Sequence, residues 1–327
     1  MTSKALWLFS AFTVLTVTAA TAQTPARTYT PPRTADGQPD LQGVWLSNTA
    51  TPLERPKALE GRARLTDAEV AEFRRRADRL FRSGNSDFAV GDGVYQAVLA
   101  NPATYRNPNA THSAAEMVDL EFDNRTSLVV DPADGRLPPT TEAGRAQQQA
   151  VAAAFAQPAG AADTGNAFRC ISWGVPRLGG RYGAGDLSYY EIVQAPGYVV
   201  ITAEAGHEAR IIPIDGRPHL RSGIRQWNGD SRGRWDGNTL VVETTNFSPK
   251  SFFMGATDSL HVVERFTRTA PDRIEHVITV TDPTTWTRPW TAMMPLRGRQ
   301  EPLFEYACHE GNYHQVAGVV LGARAAR

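Results

Sequence analysis

Three consecutive strand-like patterns between residues 260 and 294 carry ionisable side chains at positions that alternate with apolar ones. Because successive side chains of a β-strand point to opposite faces, the residues of the apolar face are expected to point into one shared interior. The ionisable residues of that face are Glu264, His276, Asp282 and Arg288. Such groups within apolar walls can perform acid/base chemistry, since burial and pairing shift pKa values toward a working range. We therefore predict that these four residues are catalytic.

Two tryptophans, Trp286 and Trp290, alternate with Arg288 and so share its predicted face. In the catalytic interpretation, Arg288 binds an anionic or carbonyl oxygen, and the two indoles stack on a planar or hydrophobic ligand. The alternative interpretation is structural. The carboxylates and Arg288 then form a buried network that stabilises the barrel, and the indoles pack on the guanidinium by cation–π contact.

A second group of side chains with possible chemistry lies at residues 308–314. His309, Glu310 and His314 are of the types that bind zinc. The two histidines are five residues apart, however, whereas the helical H-E-x-x-H zinc motif has a spacing of four. Other histidines that could supply ligands are His207, His219 and His261. We predict no metal, with His309 as a general base near one mouth of the barrel.

No motif of the sequence indicates a cofactor. The chain has no G-x-S-x-G elbow, no P-loop and no glycine fingerprint that follows a strand. The glycine-rich residues 179–183 precede no helical pattern. We therefore predict chemistry without a cofactor.

Residues 210–247 place many charged and aromatic side chains between two strand-like runs. One interpretation is a long surface loop held by Arg–Asp pairs. The other is a loop that closes one end of a barrel over a site, as long loops often do. In the second interpretation, further substrate-binding candidates are His219, Arg232 and Trp235, together with Tyr306 near the C-terminus.

Six segments carry a resemblance to a known family. They are residues 36–45 (DGQPDLQGVW), 169–170 (RC), 210–219 (RIIPIDGRPH), 229–235 (GDSRGRW), 282–290 and 305–313 (EYACHEGNY). Together they resemble a family of secreted bacterial β-rich proteins whose activity is uncharacterised. The resemblance implies an exported protein and transfers no catalytic residue, so the roles given above rest on the residues themselves.

The candidate side chains depend on a series of strands that begins after residue 188. The predicted strands are 189–194, 198–203, 210–214, 239–245, 261–267, 273–281, 285–294 and 303–308. Turn signals such as Pro196-Gly197 and Asp236-Gly237 lie between many of them. The fold is therefore predicted to be mainly β, with an antiparallel barrel or barrel-like curved sheet over residues 161–327.

Residues 23–160 are predicted to form an N-terminal extension with two helices and short strands. The first helix begins at the capping box Thr66-Asp67-Ala68-Glu69 and ends at Gly84. The second covers residues 141–155. The Gly- and Ala-rich residues 158–162 mark the boundary with the barrel.

Residues 1–22 have the pattern of a signal peptide. Lys4 precedes an apolar run over residues 5–17, and an A-x-A cleavage site ends at Ala22. The alternative is an uncleaved anchor, which the short apolar run disfavours. We predict a periplasmic or secreted protein with no membrane span in the mature chain.

The chain contains two cysteines, Cys170 and Cys308. In an oxidising compartment, two cysteines most simply form one disulfide, and the alternative is a pair of separate buried thiols.

Composition narrows the possible functions. Hydrophobic residues make up 41% of the 327-residue chain, which supports a packed core, and the formal net charge of +0 gives no indication of a nucleic-acid surface. The predicted function is a cofactor-free lyase, isomerase or hydrolase acting on a small, partly hydrophobic or aromatic molecule. The alternative is a lipocalin-like periplasmic binding protein without turnover, and a third hypothesis is a structural envelope protein. The predicted partner is a small molecule, and no oligomeric state is predicted.

Overall fold

The computed structural model of the protein describes residues 29–82, 92–100, 120–178, 189–251 and 253–326. Its strands are β1 (Gly43–Leu46), β2 (Val129–Asp131), β3 (Tyr189–Ala195), β4 (Tyr198–Ala203), β5 (Glu208–Pro213), β6 (Asp230–Asp236), β7 (Thr239–Thr245), β8 (His261–Ala270), β9 (Arg273–Thr281) and β10 (Trp290–Arg299). Its α-helices are α1 (Asp67–Arg82), α2 (Asp92–Leu99), α3 (Glu142–Ala156) and α4 (Asn312–Ala325). The predicted signal peptide lies outside these described residues.

All ten strands belong to one antiparallel sheet. Its order is β5-β4-β3-β1-β10-β9-β8-β7-β6, and β2 pairs with β10 beside this path. The two end strands, β5 and β6, lie side by side, so the sheet curves into a nearly closed barrel. The predicted mainly-β, barrel-like fold class is confirmed.

The seam between β5 and β6 is closed by side chains, since the two strands are the ends of the hydrogen-bonded order. Gly233 on β6 lies so close to β5 that an added Cβ would be 3.0 Å from the Ile212 side chain. The absence of a side chain at Gly233 therefore allows the two strands to approach.

The strand β1 comes from the N-terminal part of the chain and lies between β3 and β10. Trp45 pairs with Tyr190 on one side and with Gly298 on the other. The sheet thus contains residues from both sides of residue 160.

Two of the predicted strands are wrong at the C-terminal side. Residues 303–308 form no strand and lead through a turn into α4, a helix that was not predicted. The strand predicted to begin at Thr285 begins at Trp290 instead. The physical reason is a turn in which the amides of Thr285 and Trp286 both donate to the carbonyl oxygen of Asp282, at 3.0 and 2.9 Å.

The segment predicted as a loop between residues 214 and 239 contains a strand. Its last seven residues before the Gly237 turn form β6, which pairs with β7 from Asp230–Thr245 to Asp236–Thr239. Gly237 has φ +59°, which a tight hairpin turn requires. The strand was not predicted because β6 is rich in charged residues and has no β-branched ones. The β-branched side chains that favour a sheet lie on its partner strand, β7.

Two apolar clusters fill the barrel interior. One includes Ile278 and Trp290, and the other includes Ile274 and Leu296. His276 lies between Ile274 and Ile278 on the buried face of β9, so a polar layer separates the two clusters. A third cluster packs α1 and α2 together outside this interior.

No helix in the described ranges is long and apolar enough to cross a membrane.

Candidate functional site

Glu264 and His276 contact each other in the polar layer. They lie on the neighbouring strands β8 and β9, where Phe266 pairs with His276. The Nε2 atom of His276 is 3.1 Å from Oε1 of Glu264. The imidazole also stacks on Phe266, with ring centroids 4.1 Å apart and an interplanar angle of 15°. The ring is thus fixed by one hydrogen bond and one stacking contact.

Arg210 joins this pair from β5, across the barrel. Its Nη2 is 2.6 Å from Oε2 of Glu264, and its Nη1 is 3.2 Å from Oε1. Nη2 also lies 3.3 Å from the hydroxyls of Ser231 and Thr244. Burial opposes ionisation of Glu264, but the charge of Arg210 and the hydrogen bond with His276 outweigh it and lower its pKa to about 2. Glu264 is therefore ionised at any physiological pH.

A second buried ion pair lies in the same region. Arg177 donates through Nη2 to Glu208 and, at 2.9 Å, to the carbonyl oxygen of Ala205. Glu208 also accepts from the backbone amide of Trp173 at 3.0 Å and from Asn228 at 3.3 Å. Both partners of this pair are about nine-tenths buried.

The two ion pairs line one interior cavity of about 30 Å³, which is room for about two water molecules. Its polar lining comprises Arg177, Tyr190, Glu208, Arg210, Asn228, Glu264 and His276. Its apolar lining comprises Val175, Ile192, Ile201, Ala203, Phe266 and Leu296. Burial raises the pKa of Tyr190 to about 12, so its hydroxyl keeps its proton. At this volume the cavity holds about two waters or the polar end of a larger molecule.

An open groove of about 520 Å³ lies along the seam between β5 and residues 225–231. Arg210 and Asn228 line both this groove and the interior cavity. Ile211 and Trp227, which also line the groove, are exposed. The seam therefore brings the outside surface next to the Arg210–Glu264 pair.

Asp282 is buried, as predicted, but its carboxylate accepts hydrogen bonds from backbone amides and a hydroxyl of neighbouring turns. Its carboxylate accepts from the amides of Thr257 at 2.6 Å, Thr284 at 3.0 Å and Thr285 at 3.2 Å. It also accepts from the Thr285 hydroxyl at 3.0 Å. These bonds connect the end of β9 to the segment before β8, and Asp282 is not one of the residues that line the cavity.

The predicted inward orientation of Arg288 is wrong. Its side chain is 51% exposed and pairs with Asp131 at 2.6 Å. Residue 288 lies in the turn before β10, where the two-residue alternation of a strand does not hold. Trp286 and Trp290 are buried and pack edge-to-face at 5.6 Å, within the apolar cluster that contains Ile278.

His219 and Arg232 both contact Asp230. Nδ1 of His219 lies 3.0 Å from Oδ2, and Nη1 of Arg232 donates to Oδ1 at 2.6 Å. The His219 contact holds the loop after β5 against β6, whereas Arg232 and Asp230 both lie on β6. Trp235 packs beside the cluster that contains Phe266. Their role in binding stays a prediction.

The predicted disulfide between Cys170 and Cys308 is present. Tyr306 packs edge-to-face on Trp173 at 5.8 Å, and the amide of Trp173 donates to Glu208 at the cavity wall. The disulfide thus holds residues 306–308 against this wall. His309 is exposed in the turn that follows and is not one of the residues that line the cavity.

Within the described residues, no group of three or more His, Cys, Asp or Glu side chains is placed to hold a metal ion.

Sequence analysis missed Arg177, Tyr190, Glu208 and Arg210 as site residues. The signal for Arg210 was available, since Arg210 alternates with Ile212 on β5 in the same way that Glu264 alternates with Phe266. Arg177 lies in a loop between prolines and glycines, where no periodic pattern indicates its direction.

A scan against protein-family models and a search of curated proteins found no match to this chain. The resemblance to a secreted β-rich family therefore stays a prediction, and the functional argument depends on the site geometry.

Proposed function

We propose that the protein is an exported acid/base enzyme that acts on a small molecule inside the barrel. In this proposal His276 transfers the proton, Glu264 positions it, and Arg210 holds Glu264 in place. The observation that carries the proposal is the buried hydrogen-bond network of Arg210, Glu264 and His276. This network lines a cavity between two apolar clusters.

The charges favour His276 over Glu264 as the base. Glu264 binds protons weakly because its pKa is about 2. A fixed carboxylate beside an imidazole stabilises the imidazolium that forms when the ring accepts a proton. Because Nε2 faces Glu264, Nδ1 is the atom that takes the proton from the bound molecule and returns it.

A direct test follows proton abstraction with small carbonyl probes. The protein is incubated with acetone in D₂O, and the loss of the α-proton NMR signal is measured. We expect His276→Gln to reduce the exchange rate by about 100-fold or more, the usual contribution of a positioned base. The matched control is His261→Gln, because His261 pairs with Glu243 at 2.7 Å on the surface. If the parent exchanges no faster than His276→Gln, the proposal is wrong.

A second candidate is a small-molecule binding protein without turnover, which the barrel-like enclosure of an apolar-walled cavity favours. In this case the probes bind in the cavity, which is detected as chemical-shift changes at Tyr190 and Phe266. The rate of α-proton exchange is then the same in the parent and in His276→Gln.

A further inference from the structure

Two guanidinium nitrogens in the polar layer have no hydrogen-bond partner. They are Nη1 of Arg177 and Nε of Arg210, and both atoms are buried. Other nitrogens of these two residues donate to Glu208, to the carbonyl oxygen of Ala205, to Glu264 and to the hydroxyls of Ser231 and Thr244. Leaving a buried donor without a partner destabilises the folded state, and the effect is larger when the donor belongs to a charged group. Both arginines line the cavity, so an occupant whose acceptor oxygen reaches either nitrogen would satisfy it.

The charge balance of the cavity selects a neutral occupant. Its lining contains two arginines and two glutamates, which form two ion pairs. These four charges cancel, so an added anion would bring an uncompensated charge into an apolar interior, which is costly. A neutral molecule with an acceptor oxygen can accept hydrogen bonds from the free N–H groups without burying an uncompensated charge.

Tyr190 adds a third donor to the lining. Its hydroxyl is protonated at every physiological pH, because burial raises its pKa to about 12. The lining also contains the apolar side chains of Ile192, Ile201 and Leu296. The lining thus matches a compact molecule with one polar and one apolar end.

We propose that Arg177 and Arg210, assisted by Tyr190, bind the oxygen of a small neutral carbonyl compound, and that this class is the substrate. The inference rests on the proposed function, because it assigns the substrate of the same site. His276 takes a proton from the carbon next to the carbonyl group. The C–H electron pair becomes the new C=C bond, and the carbonyl π pair moves to the oxygen, where the arginines stabilise its charge. Return of the proton to the same carbon regenerates the substrate, and return to another carbon gives an isomer.

The test uses acetamide and acetate, which have nearly the same shape and differ in charge. Binding to the parent is measured by NMR titration, with the Arg177 and Arg210 guanidinium resonances observed in ¹⁵N-arginine-labelled protein. We expect acetamide to shift these resonances and to bind at least about tenfold more tightly than acetate. Tighter binding of acetate, or no shift of either guanidinium, would overturn the proposal.

Arg177→Lys provides the matched variant, because lysine keeps the charge opposite Glu208 and removes the planar Nη1 donor. We expect it to weaken acetamide binding about tenfold or more. Arg288→Lys, a change at the exposed pair with Asp131, is the control and should leave binding unchanged. If Arg177→Lys does not fold, the guanidinium shifts of the parent decide the question.

The two proposals fail in different ways. Acetamide has no role in proton exchange here, so its binding reports on the oxygen site alone. Loss of ketone exchange in His276→Gln together with unchanged acetamide binding in Arg177→Lys supports the enzyme and rejects the oxygen site. Weaker acetamide binding in Arg177→Lys without any exchange in the parent supports the oxygen site and rejects the enzyme.

Discussion

Arg210 on β5 and Glu264 on β8 form a two-point ion pair, with Nη2 and Oε2 2.6 Å apart, across the interior of a sheet whose ends are β5 and β6. The same guanidinium lies 3.3 Å from Ser231 on β6. Arg210 therefore connects both sides of the seam to the polar layer, and it is both a stabilising residue and a site residue.

Loss of Arg210 should destabilise the protein strongly. Arg210→Met removes the cation from Glu264 and leaves His276 as its remaining ionisable partner in the interior, and breaking such a buried ion pair costs about 3–5 kcal/mol. The control is Arg288→Met, which breaks an exposed pair with Asp131 and should cost about 1 kcal/mol or less. Urea unfolding at pH 7 measures both. Equal losses in the two variants would show that Arg210 is not part of a buried pair.

The acid stability of the protein should depend on Glu264. Its pKa is lowered from 4.5 to about 2 in the folded state, so its stabilising contribution is complete above pH 4.5 and is lost as the pH falls from 4.5 to 2. At about 1.4 kcal/mol per pKa unit, this contribution is on the order of 3 kcal/mol. The free energy of unfolding of parent and Glu264→Gln, measured with urea from pH 7 to pH 2, should converge across this window. Exposed carboxylates with lowered pKa values, such as Asp215, affect both proteins equally. A difference that is constant with pH would contradict the prediction.

Asp282→Asn should affect stability and spare the chemistry. The carboxylate accepts from the amides of Thr257, Thr284 and Thr285, and an asparagine can satisfy only part of this set. We expect a loss of about 1–3 kcal/mol in the free energy of unfolding. Ketone exchange in the folded variant should match the parent, because Asp282 does not line the cavity. A folded variant that has lost exchange would restore Asp282 to the site.

Removal of the disulfide should have a large effect, because Cys170 and Cys308 are 138 residues apart. In the chain-entropy model, a loop of this length stabilises the folded state by about 5 kcal/mol. Thermal unfolding of Cys170→Ser/Cys308→Ser beside the parent measures this effect. Thiol labelling of the unfolded, unreduced parent should detect no free cysteine, and two reactive thiols per chain would rule out the bond.

The sequence predicted that Glu264 and His276 point into one interior, because β8 and β9 are regular strands in which a period of two identifies the buried face. The same reasoning failed at Arg288, because the chain turns before β10 begins. In this turn the backbone amides of Thr284 and Thr285 donate hydrogen bonds to the carboxylate of Asp282. A short run of residues does not reveal where alternation stops. The pair between Arg210 and Glu264 was beyond local patterns, because it depends on how the curved sheet brings β5 opposite β8.

Other differences have a similar cause. The helix α4 has no strong apolar face and buries Val320 alone among its residues, so no periodic pattern marked it. The strand β6 has few strand-forming residues and takes its structure from β7. Cys170 and Cys308 were predicted correctly because two cysteines in an oxidising compartment have one simple arrangement.

The position of β1 has a consequence for how the chain folds. The disulfide encloses β3 to β10 in one covalent loop, while β1, which separates β3 from β10 in the sheet, comes from outside that loop. Val44 pairs with Glu191 and with Arg299, so the wall is completed by contacts between very distant parts of the chain. Contacts between distant parts of a chain require a large loss of loop-closure entropy before their favourable interactions form, so they form slowly. β1 can take its place in the sheet only when β10 is available to pair with it, so we expect completion of the sheet to be a late step of folding.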